Sequence, residues 1–383
     1  MPPEFNPSPK ATFVGRVWRP GIGPAVVRID GDRVIDITSK VHPTIADLLA
    51  SADPLTAARA AQGEDICALT EVEMGSTPDA GQDDLRWQAP CDLQAIKASG
   101  VTFAASMVER VIEEQAAGDP DRADVIRAKV GHIIGDSLAG LVPGSPEAAE
   151  VKRVLLAEGL WSQYLEVGIG PDAEVFTKSQ PMSAVGWGAA VGLHPISTWN
   201  NPEPEIVLAV SPAGTIVGAT LGNDVNLRDV EGRSALLLSK AKDNNASCAI
   251  GPAIRLFDDS FTLDDVRRAQ ISMTVRGTDG FDLTGESSMT EISRDPADLV
   301  AQTIGPHHQY PDGFMLFCGT MFAPVKDRDA AGQGFTHHVD DVVRISEPSL
   351  GTLKNTVRLS PDCPAWTFGA GALMRNLAAR HLL

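Results

Sequence analysis

Short runs of β-branched and aromatic residues, separated by glycine and aspartate turns, open the chain. Over residues 11–40 these runs predict several short strands, and the sequence PTIADLLASADPLTAARAA over 43–61 predicts helix. Residues 72–92 are polar and rich in glycine and proline, which favours a linker or crossover. We therefore expect residues 1–92 to form a small N-terminal domain with its linker.

The pattern changes near residue 95, where a second and larger domain is predicted to begin. Residues 96–103 predict a strand that leads into a helix over about 104–115. Residues 118–160 have an irregular helical pattern, which suits an insertion or a lid over a site. We assign residues 93–383 to this second domain.

The stretch from residue 164 to residue 350 consists mostly of predicted strands with short spacings. The segments predicted as strands are LEVGIG, EVFTK, EIVLAV, TIVGATLG, ISMTVRG, GFMLFCGT and VVRISE. Residues 370–383 predict an amphipathic helix. Because the regular strand–helix alternation of a doubly wound parallel sheet is missing, we expect a β-rich α+β fold.

Composition and charge narrow the classes of function. The 383 residues are 43% hydrophobic and 21% charged, which is typical of globular proteins. A formal charge of −18 disfavours binding to nucleic acid or to a membrane surface, and an aromatic content of 5% disfavours base-stacking platforms. The sequence has no apolar run of bilayer length, and the proline-containing start MPPEFNPSPK does not resemble a signal peptide. We expect a cytoplasmic protein.

Cysteine and histidine do not form a recognisable metal motif. The five cysteines, at 67, 91, 248, 318 and 363, are widely spaced and contain no CxxC, so we expect buried thiols. The pairs His307–His308 and His337–His338 lie in polar segments, and we expect loop residues there. Thiolate zinc sites and a disulfide framework are therefore disfavoured.

The clearest chemical signal is acidic. Glu203 and Glu205 are two residues apart at the start of the apolar run 206–210, so both side chains leave a strand on one face. Asp224 ends the next predicted strand, which a hairpin brings back beside the first. Three such carboxylates would suit Mg²⁺ or Mn²⁺, with water and substrate in the other positions. A solvated strand edge is the alternative interpretation for the two glutamates alone.

Cationic residues lie close to this acidic signal in the chain. Lys178 and Lys242 are candidates to balance charge beside a metal, and a desolvated lysine with a lowered pKa can transfer protons. Gly319 and Thr320 follow an apolar strand, where an amide and a hydroxyl can hold a carboxylate. Surface lysines and an ordinary turn are the alternatives for these residues.

Seven motifs in a fixed order resemble those of the fumarylacetoacetate hydrolase family, over about residues 95–360. They are GVTFAASMVE (100–109), FTK with Ser183 and Gly186, EPE (203–205), GNDVNLRD (222–229), Lys242 with Gly251–Pro252, GT (319–320), and GTLKNTV (351–357). The resemblance implies a mixed β-sandwich roll with a smaller N-terminal α+β domain. Family members commonly form oligomers, so a homodimer or homotetramer is expected.

The resemblance also implies roles for particular residues. Glu203, Glu205 and Asp224 would hold Mg²⁺, with Mn²⁺ or Ca²⁺ possible in its place. Lys242 would transfer protons, with Glu109 and Ser106 as candidates for the acid or for orienting a water. The residues expected to bind substrate are Arg228, Thr320, Gly319, Lys178 and Asn223.

Ser106 departs from the family pattern. The hydrolases have a histidine at this position, and serine does not titrate near neutral pH, so it is a poor general base. Hydrolytic carbon–carbon cleavage is therefore disfavoured, while enolate chemistry remains compatible with a metal site and a lysine.

Within the family, the segments GLWSQYLEVGIGPDAE, NNPEPE and SKAKDNNASCAIGP resemble the dehydratases of 2-keto-3-deoxy-D-xylonate, equivalently D-arabinonate. This likeness implies dehydration of a small anionic 2-keto acid to 2,5-dioxopentanoate. One alternative is a hydrolase or decarboxylase of a 2,4-diketo acid. An alternative of another class is a non-catalytic protein that binds a divalent ion.

Overall fold

A computed structural model describes residues 4, 5, 7, 8, 10–103, 107, 141–320, 322, 326–330 and 334–383. The predicted helix over 104–115, most of the predicted insertion, and the residues Ser106 and Glu109 lie outside this part of the chain.

Strands dominate the described residues and form two sheets. Their bounds are β1 Phe13–Arg19, β2 Gly23–Asp30, β3 Arg33–Asp36, β4 Glu64–Ala68, β5 Arg86–Gln88, β6 Ala95–Gly100, β7 Glu174–Ser179, β8 Ala190–Leu193, β9 Pro204–Val210, β10 Ile216–Asp224, β11 Cys248–Leu256, β12 Gln270–Arg276, β13 Asp282–Ser288, β14 Phe314–Phe317, β15 Val342–Glu347 and β16 Gly351–Leu359. The larger sheet has the order β4-β3-β2-β1-β11-β10-β9-β14-β6-β7, with β5 paired to β1, and the smaller has the order β13-β12-β15-β16-β8.

The helices of the described residues are short. Their bounds are α1 Ile45–Ala50, α2 Pro54–Ala60, α3 Leu69–Gly75, α4 Pro146–Ala157, α5 Gln163–Ile169, α6 Arg228–Glu231, α7 Leu238–Lys242, α8 Leu263–Arg267, α9 Pro296–Thr303 and α10 Ala370–Ala379. None of these helices has the length and apolar character required to cross a bilayer.

Both sheets are mixed, because β6 runs parallel to β14 and β8 runs parallel to β16 while the other pairs are antiparallel. The largest buried apolar cluster contains Ile206 and Leu208 of the large sheet together with Val343 and Ile345 of the small one. The two sheets therefore share a core, as in a sandwich. The predicted α+β class is confirmed.

Strand β9 is buried on both of its faces. Ile206 and Leu208 face the core between the sheets, whereas Val207 and Ala209 pack in a second cluster with helix α1. Burial on both faces explains why EIVLAV is continuously apolar rather than alternating.

The N-terminal strands extend the same large sheet. Phe13 of β1 pairs with Arg255 of β11, and the region predicted as a linker contains the C-terminal part of α3 and strand β5. Because β5 pairs with β1, the polar segment before residue 92 is held against the sheet. The division into domains at residue 92 stays a prediction about folding units.

The prediction of a strand for LEVGIG is wrong, because these residues lie in helix α5. The Ser162 hydroxyl caps the helix by accepting the N–H of Leu165 at 3.4 Å. Leu165, Gly168 and Ile169 are buried at helical spacing. The other predicted strands of this region and the C-terminal helix are present. All five cysteines are buried free thiols, as predicted.

Candidate metal centre

The hairpin of β9 and β10 brings three carboxylates together. Gly222 pairs with Glu205 across the hairpin, and the Asp224 N–H donates to the Glu203 carbonyl at 3.0 Å. Strand alternation therefore puts the side chains of Glu203, Glu205 and Asp224 on one face. Each contributes an oxygen, these oxygens all lie within 4.8 Å of one another, and all three residues are buried. Their role as metal ligands stays a prediction.

Glycine at position 222 gives the hairpin room beside Glu205. A Cβ atom built there would lie 2.2 Å from Cε1 of Phe317 and 2.5 Å from Cγ2 of Val207. No side chain fits at such distances, so the first residue of the GND sequence is set by packing against β14.

Lys242 contacts two of the three carboxylates. It is the last residue of α7, and its Nζ lies 2.5 Å from Oε2 of Glu203 and 3.2 Å from Oδ2 of Asp224. The ammonium also lies 5.9 Å from the ring centre of Phe176, near the usual limit for a cation–π contact. The predicted proton-transfer residue is thus at the carboxylate cluster.

Lys178 lies behind Asp224 and is fully buried. Its Nζ lies 2.9 Å from Oδ1 of Asp224 and also contacts the main-chain carbonyls of Val225 and Lys242 and the hydroxyl of Ser247. Protein oxygens thus surround this ammonium. This arrangement favours a role for Lys178 in orienting Asp224 over a role in substrate contact.

Burial and mutual repulsion disfavour the charged forms of the glutamates. Burial raises the pKa of Glu205 well above its usual value, and the charges of Asp224 and Glu203 raise it further. Burial also raises the pKa of Glu203, although the ammonium of Lys242 opposes this. In the described residues no lysine or arginine lies within ion-pair distance of Glu205, which accepts a hydrogen bond from the Gly319 N–H.

The pKa of Lys242 moves in the direction opposite to the lowered value expected from sequence. Burial acts to lower this pKa, but the carboxylates of Asp224, Glu203 and Glu231 raise it above the usual lysine value. The missed factor is the pair of carboxylates in direct contact with its ammonium. A divalent cation among the same oxygens would counteract this rise, because its charge repels the ammonium.

The cluster fits a hard divalent cation. Three buried carboxylates face two ammonium groups, and Glu205 lacks an ion-pair partner in the described part of the chain. Oxygen donors of this kind are the ligands that Mg²⁺ and Mn²⁺ prefer. Glu203, Glu205 and Asp224 are the residues that would hold such an ion.

Gly319 fixes the position of Glu205. Its N–H donates to Oε2 of Glu205 at 2.6 Å, with a backbone φ of +91°. A Cβ atom there would lie 2.1 Å from Oγ1 of Thr102, which itself donates to the Cys318 carbonyl at 2.7 Å. Thr320 follows, and its hydroxyl accepts the N–H of Phe322. The predicted amide contact thus goes to a carboxylate of the protein.

Two predicted substrate-binding residues, Asn223 and Arg228, have contacts within the protein. Asn223 lies opposite Pro204, and strand alternation puts its side chain on the face opposite to Asp224. Its Oδ1 accepts the Glu203 N–H at 3.2 Å, which positions that main chain. Arg228 begins α6 and places its guanidinium 4.2 Å from the ring centre of Trp199. Their substrate contacts stay predictions.

Asn226 is a functional candidate that the sequence analysis missed. Its amide donates to Oε1 of Glu203 at 3.1 Å and to Oε2 of Glu231 at 2.6 Å, which fixes the orientation of Glu203. The available signal was its place in GNDVNLRD, two residues after Asp224. The backbone pairing of Asn226 with Asn201, two residues before Glu203, is a contact between distant segments that the sequence pattern does not predict.

The part of the chain that carries the site matches a known protein family. Residues 171–358, which contain all three carboxylates and both lysines, match the model of the fumarylacetoacetate (FAA) hydrolase C-terminal family. Just under half of the chain thus resembles the fumarylacetoacetate hydrolase family. The match confirms the resemblance over six of the seven motifs, since GVTFAASMVE (100–109) precedes residue 171.

Two proteins similar to this chain are dehydratases by name. A probable 2-keto-3-deoxyxylonate dehydratase of Haloferax volcanii is 31% identical over 194 residues, which cover 51% of this chain and 63% of that protein. A 2-dehydro-3-deoxy-D-arabinonate dehydratase of Saccharolobus solfataricus is 28% identical over 192 residues, which cover 48% of this chain and 58% of that protein. The match thus spans about three fifths of each relative.

A solved structure shares the fold over nearly the whole chain. It is a 2-keto-3-deoxy-D-arabinonate dehydratase complexed with magnesium and 2,5-dioxopentanoate, with a TM-score of 0.63 and 19% identity. The similarity covers 91% of this chain and 99% of that one. The expected fumarylacetoacetate hydrolase-like fold is confirmed.

Proposed function

We propose that this protein belongs to the fumarylacetoacetate hydrolase family and is a divalent-metal-dependent dehydratase of a 2-keto-3-deoxy-D-pentonate. Its substrate would be 2-keto-3-deoxy-D-xylonate, equivalently D-arabinonate, and its products 2,5-dioxopentanoate and water. The observation that carries the proposal is the buried group of Glu203, Glu205 and Asp224 with Lys242 in contact. The names of the two relatives and the ligands of the related structure support it.

The reaction breaks a C3–H bond and the C4–O bond, and the departing hydroxyl leaves as water. The unsaturated 2-keto acid then rearranges to the aldehyde at C5. When bound, a divalent cation supplies Lewis-acid stabilisation of the negative charge that develops on the 2-keto oxygen. Glu203, Glu205 and Asp224 would hold this ion beside the substrate.

Lys242 is our first choice for proton transfer at C3, because its Nζ is the protein nitrogen that directly contacts both Glu203 and Asp224. Lys178 holds Asp224 from behind, and the Gly319 amide holds Glu205, so the carboxylates keep a fixed orientation. Ser106 and Glu109 remain candidates for the acid that assists hydroxyl departure.

Product analysis by NMR of purified protein with Mg²⁺ and 2-keto-3-deoxy-D-xylonate tests the proposal. We expect 2,5-dioxopentanoate to form and excess EDTA to stop the reaction. Glu203→Gln should abolish turnover, whereas Glu286→Gln, on an exposed position of β13, should retain it. Pyruvate or carbon dioxide as the product would instead indicate the hydrolase or decarboxylase alternative. Metal binding without turnover on a panel of 2-keto acids would indicate a binding protein.

Oligomeric state and cellular location rest on the sequence analysis alone. A homodimer or homotetramer and a cytoplasmic location stay predictions, as does the absence of nucleic-acid and membrane partners.

A further inference from the structure

A cavity of about 220 Å³ lies outside the metal centre. It is bounded by the segment that leads into β5, by residues 182–190 and by the C-terminal segment 364–368, and none of the three carboxylates lines it. Four of the six tryptophans of the chain line it, namely Trp18, Trp87, Trp187 and Trp366. Such a concentration of indole rings offers flat apolar surfaces to a ligand.

The charge of the lining contrasts with that of the protein. The lining includes two arginines and no aspartate or glutamate, although the chain carries a formal charge of −18. The charge of Arg16 is balanced within the protein, because its Nε lies 3.6 Å from Oδ2 of Asp92. Its guanidinium also donates to the Cys91 carbonyl at 2.6 Å. The remaining cation of the lining is Arg86.

Arg86 has no ion-pair partner in the described residues. Its Nε donates to the Gly81 carbonyl at 2.8 Å, and its guanidinium lies 5.4 Å from the ring centre of Trp18. The carboxylate of the nearby Asp84 accepts a hydrogen bond from the Gly81 N–H at 2.8 Å. The loop over residues 81–86 thus holds the guanidinium in place, and its terminal nitrogens have no acceptor among the described residues.

The ring beside Arg86 is also held in place. The Nε1–H of Trp18 donates to the Gln82 carbonyl at 2.7 Å. The rings of Trp18 and Phe368 form a T-shaped contact with their centres 5.0 Å apart. A cation with free donors and a fixed aromatic wall therefore lie side by side. This pairing suits a ligand that has a carboxylate next to a planar apolar group.

We propose that this cavity is a binding site for a small aromatic carboxylate, with the carboxylate on Arg86 and the ring among the tryptophans. The size agrees, because a protein cavity of about 150 Å³ accommodates benzene and the extra volume admits one carboxylate. A phosphate ion would use the guanidinium but leave the aromatic walls without a contact. A neutral aromatic molecule would leave Arg86 without an acceptor.

Two segments that line the cavity follow closely in sequence after the lysines of the metal centre. Residues 182–187 follow Lys178, and Asn245 and Ala246 follow Lys242, so two lining segments continue from the lysines of the carboxylate cluster. Because both sites accept carboxylates in our account, the test has to separate them. Removing the metal or changing Glu203 affects the metal centre and leaves the lining of the cavity intact.

Isothermal titration calorimetry of the purified protein with benzoate tests the proposal, with benzamide as the uncharged molecule of the same shape. We expect saturable benzoate binding in EDTA and in Glu203→Gln, and benzamide binding weaker by about tenfold or more. Arg86→Met should weaken benzoate binding by a similar factor. Arg153→Met, which removes an exposed arginine on α4, should leave it unchanged.

The proposal is overturned if millimolar benzoate gives no saturable binding, or if benzamide binds as well as benzoate. Benzoate binding that requires the metal and disappears in Glu203→Gln would place the ligand at the metal centre, and it too would overturn the proposal. Circular dichroism checks the fold of each variant. If Arg86→Met does not fold, the comparison of the two ligands on the unchanged protein decides.

Discussion

Replacement of Gly319 by alanine is expected to weaken metal binding through a residue that is not itself a metal ligand. Gly319 has a φ of +91°, and its N–H donates to Oε2 of Glu205 at 2.6 Å. A Cβ atom at this position would lie 2.1 Å from Oγ1 of Thr102 and 3.0 Å from the Ser99 carbonyl. The strand end therefore has to move, and the amide moves with it.

The structure sets the size of this effect. The positive φ alone costs an alanine about 1–2 kcal/mol of folding free energy. Overpacking against Thr102 adds about 1–3 kcal/mol. We expect Gly319→Ala to lower the free energy of unfolding by about 2–5 kcal/mol. We also expect it to weaken Mg²⁺ binding by about tenfold or more, because Glu205 loses its donor.

Gly280→Ala is the matched control, since Gly280 has a φ of +85° and a Cβ atom there would meet nothing within 4 Å. In this variant the free energy of unfolding should fall only by the cost of the positive φ, and the Mg²⁺ affinity should be unchanged. Thr102→Ala in the Gly319→Ala background removes the nearest clashing atom. The double variant should therefore be more stable than the sum of the single effects by about 0.5–3 kcal/mol.

Urea denaturation measures these stabilities, and calorimetric titration with Mg²⁺ measures the affinities. The reasoning is refuted if Gly319→Ala and Gly280→Ala behave alike in both measurements. It is also refuted if the effects of Gly319→Ala and Thr102→Ala are strictly additive, because the two positions would then not be in steric contact.

Three further predictions concern buried polar contacts. Asn226→Ala should weaken Mg²⁺ binding by about tenfold or more in a calorimetric titration, because its amide orients Glu203. Lys178→Met should lower the free energy of unfolding in urea by about 3–5 kcal/mol, because it removes a buried ion-pair partner of Asp224. Burial acts to raise the pKa of Asp341, but hydrogen bonds from His337 and Arg328 lower it to about 2 from the ordinary 3.8. Since the folded-state pKa lies below the unfolded one, this group's stabilisation is complete above about pH 4 and is lost as the pH falls through about 2. Asp341→Asn should thus lower stability at pH 7 by about 2 kcal/mol, with a smaller difference in acid denaturation near pH 2.

Controls come from partly exposed residues of the same type. Asn376→Ala should keep its Mg²⁺ affinity, and Lys97→Met, on the neighbouring strand β6, should change stability little. Asp340→Asn, which removes a surface ion pair with Arg358, should behave like the unchanged protein from pH 2 to pH 7. An Asn226→Ala protein with unchanged affinity, a Lys178→Met protein of full stability, or an Asp341→Asn difference that does not vary with pH would each contradict the corresponding argument.

Local pattern was sufficient for the hairpin that carries the site. The runs EIVLAV and TIVGATLG are short, β-branched and separated by a tight turn, so β9 and β10 follow from the sequence. The two-residue spacing of Glu203 and Glu205 then predicts a shared face, which the structure shows. LEVGIG also contains leucine, valine and isoleucine, but the Ser162 cap before it is a helix signal that its apolar content conceals.

Local sequence pattern does not predict contacts between distant segments. The amide of Gly319 contacts Glu205 across 114 residues. The burial of Lys178 depends on the carbonyls of Val225 and Lys242 and on the hydroxyl of Ser247, which all come from later segments. The segment 72–92 has the polar composition of a linker, but it contains the three-residue strand β5, which pairs with β1. So short a strand has no clear sequence pattern of its own. The direction of the Lys242 pKa likewise depends on how closely two carboxylates approach it.

Anomalous diffraction from crystals grown with Mn²⁺ tests the central claim most directly. We predict one strong anomalous peak within coordination distance of oxygens from Glu203, Glu205 and Asp224, and its absence in crystals of Glu205→Gln grown under the same conditions. A Mn²⁺ peak elsewhere with none among these three carboxylates would contradict the account.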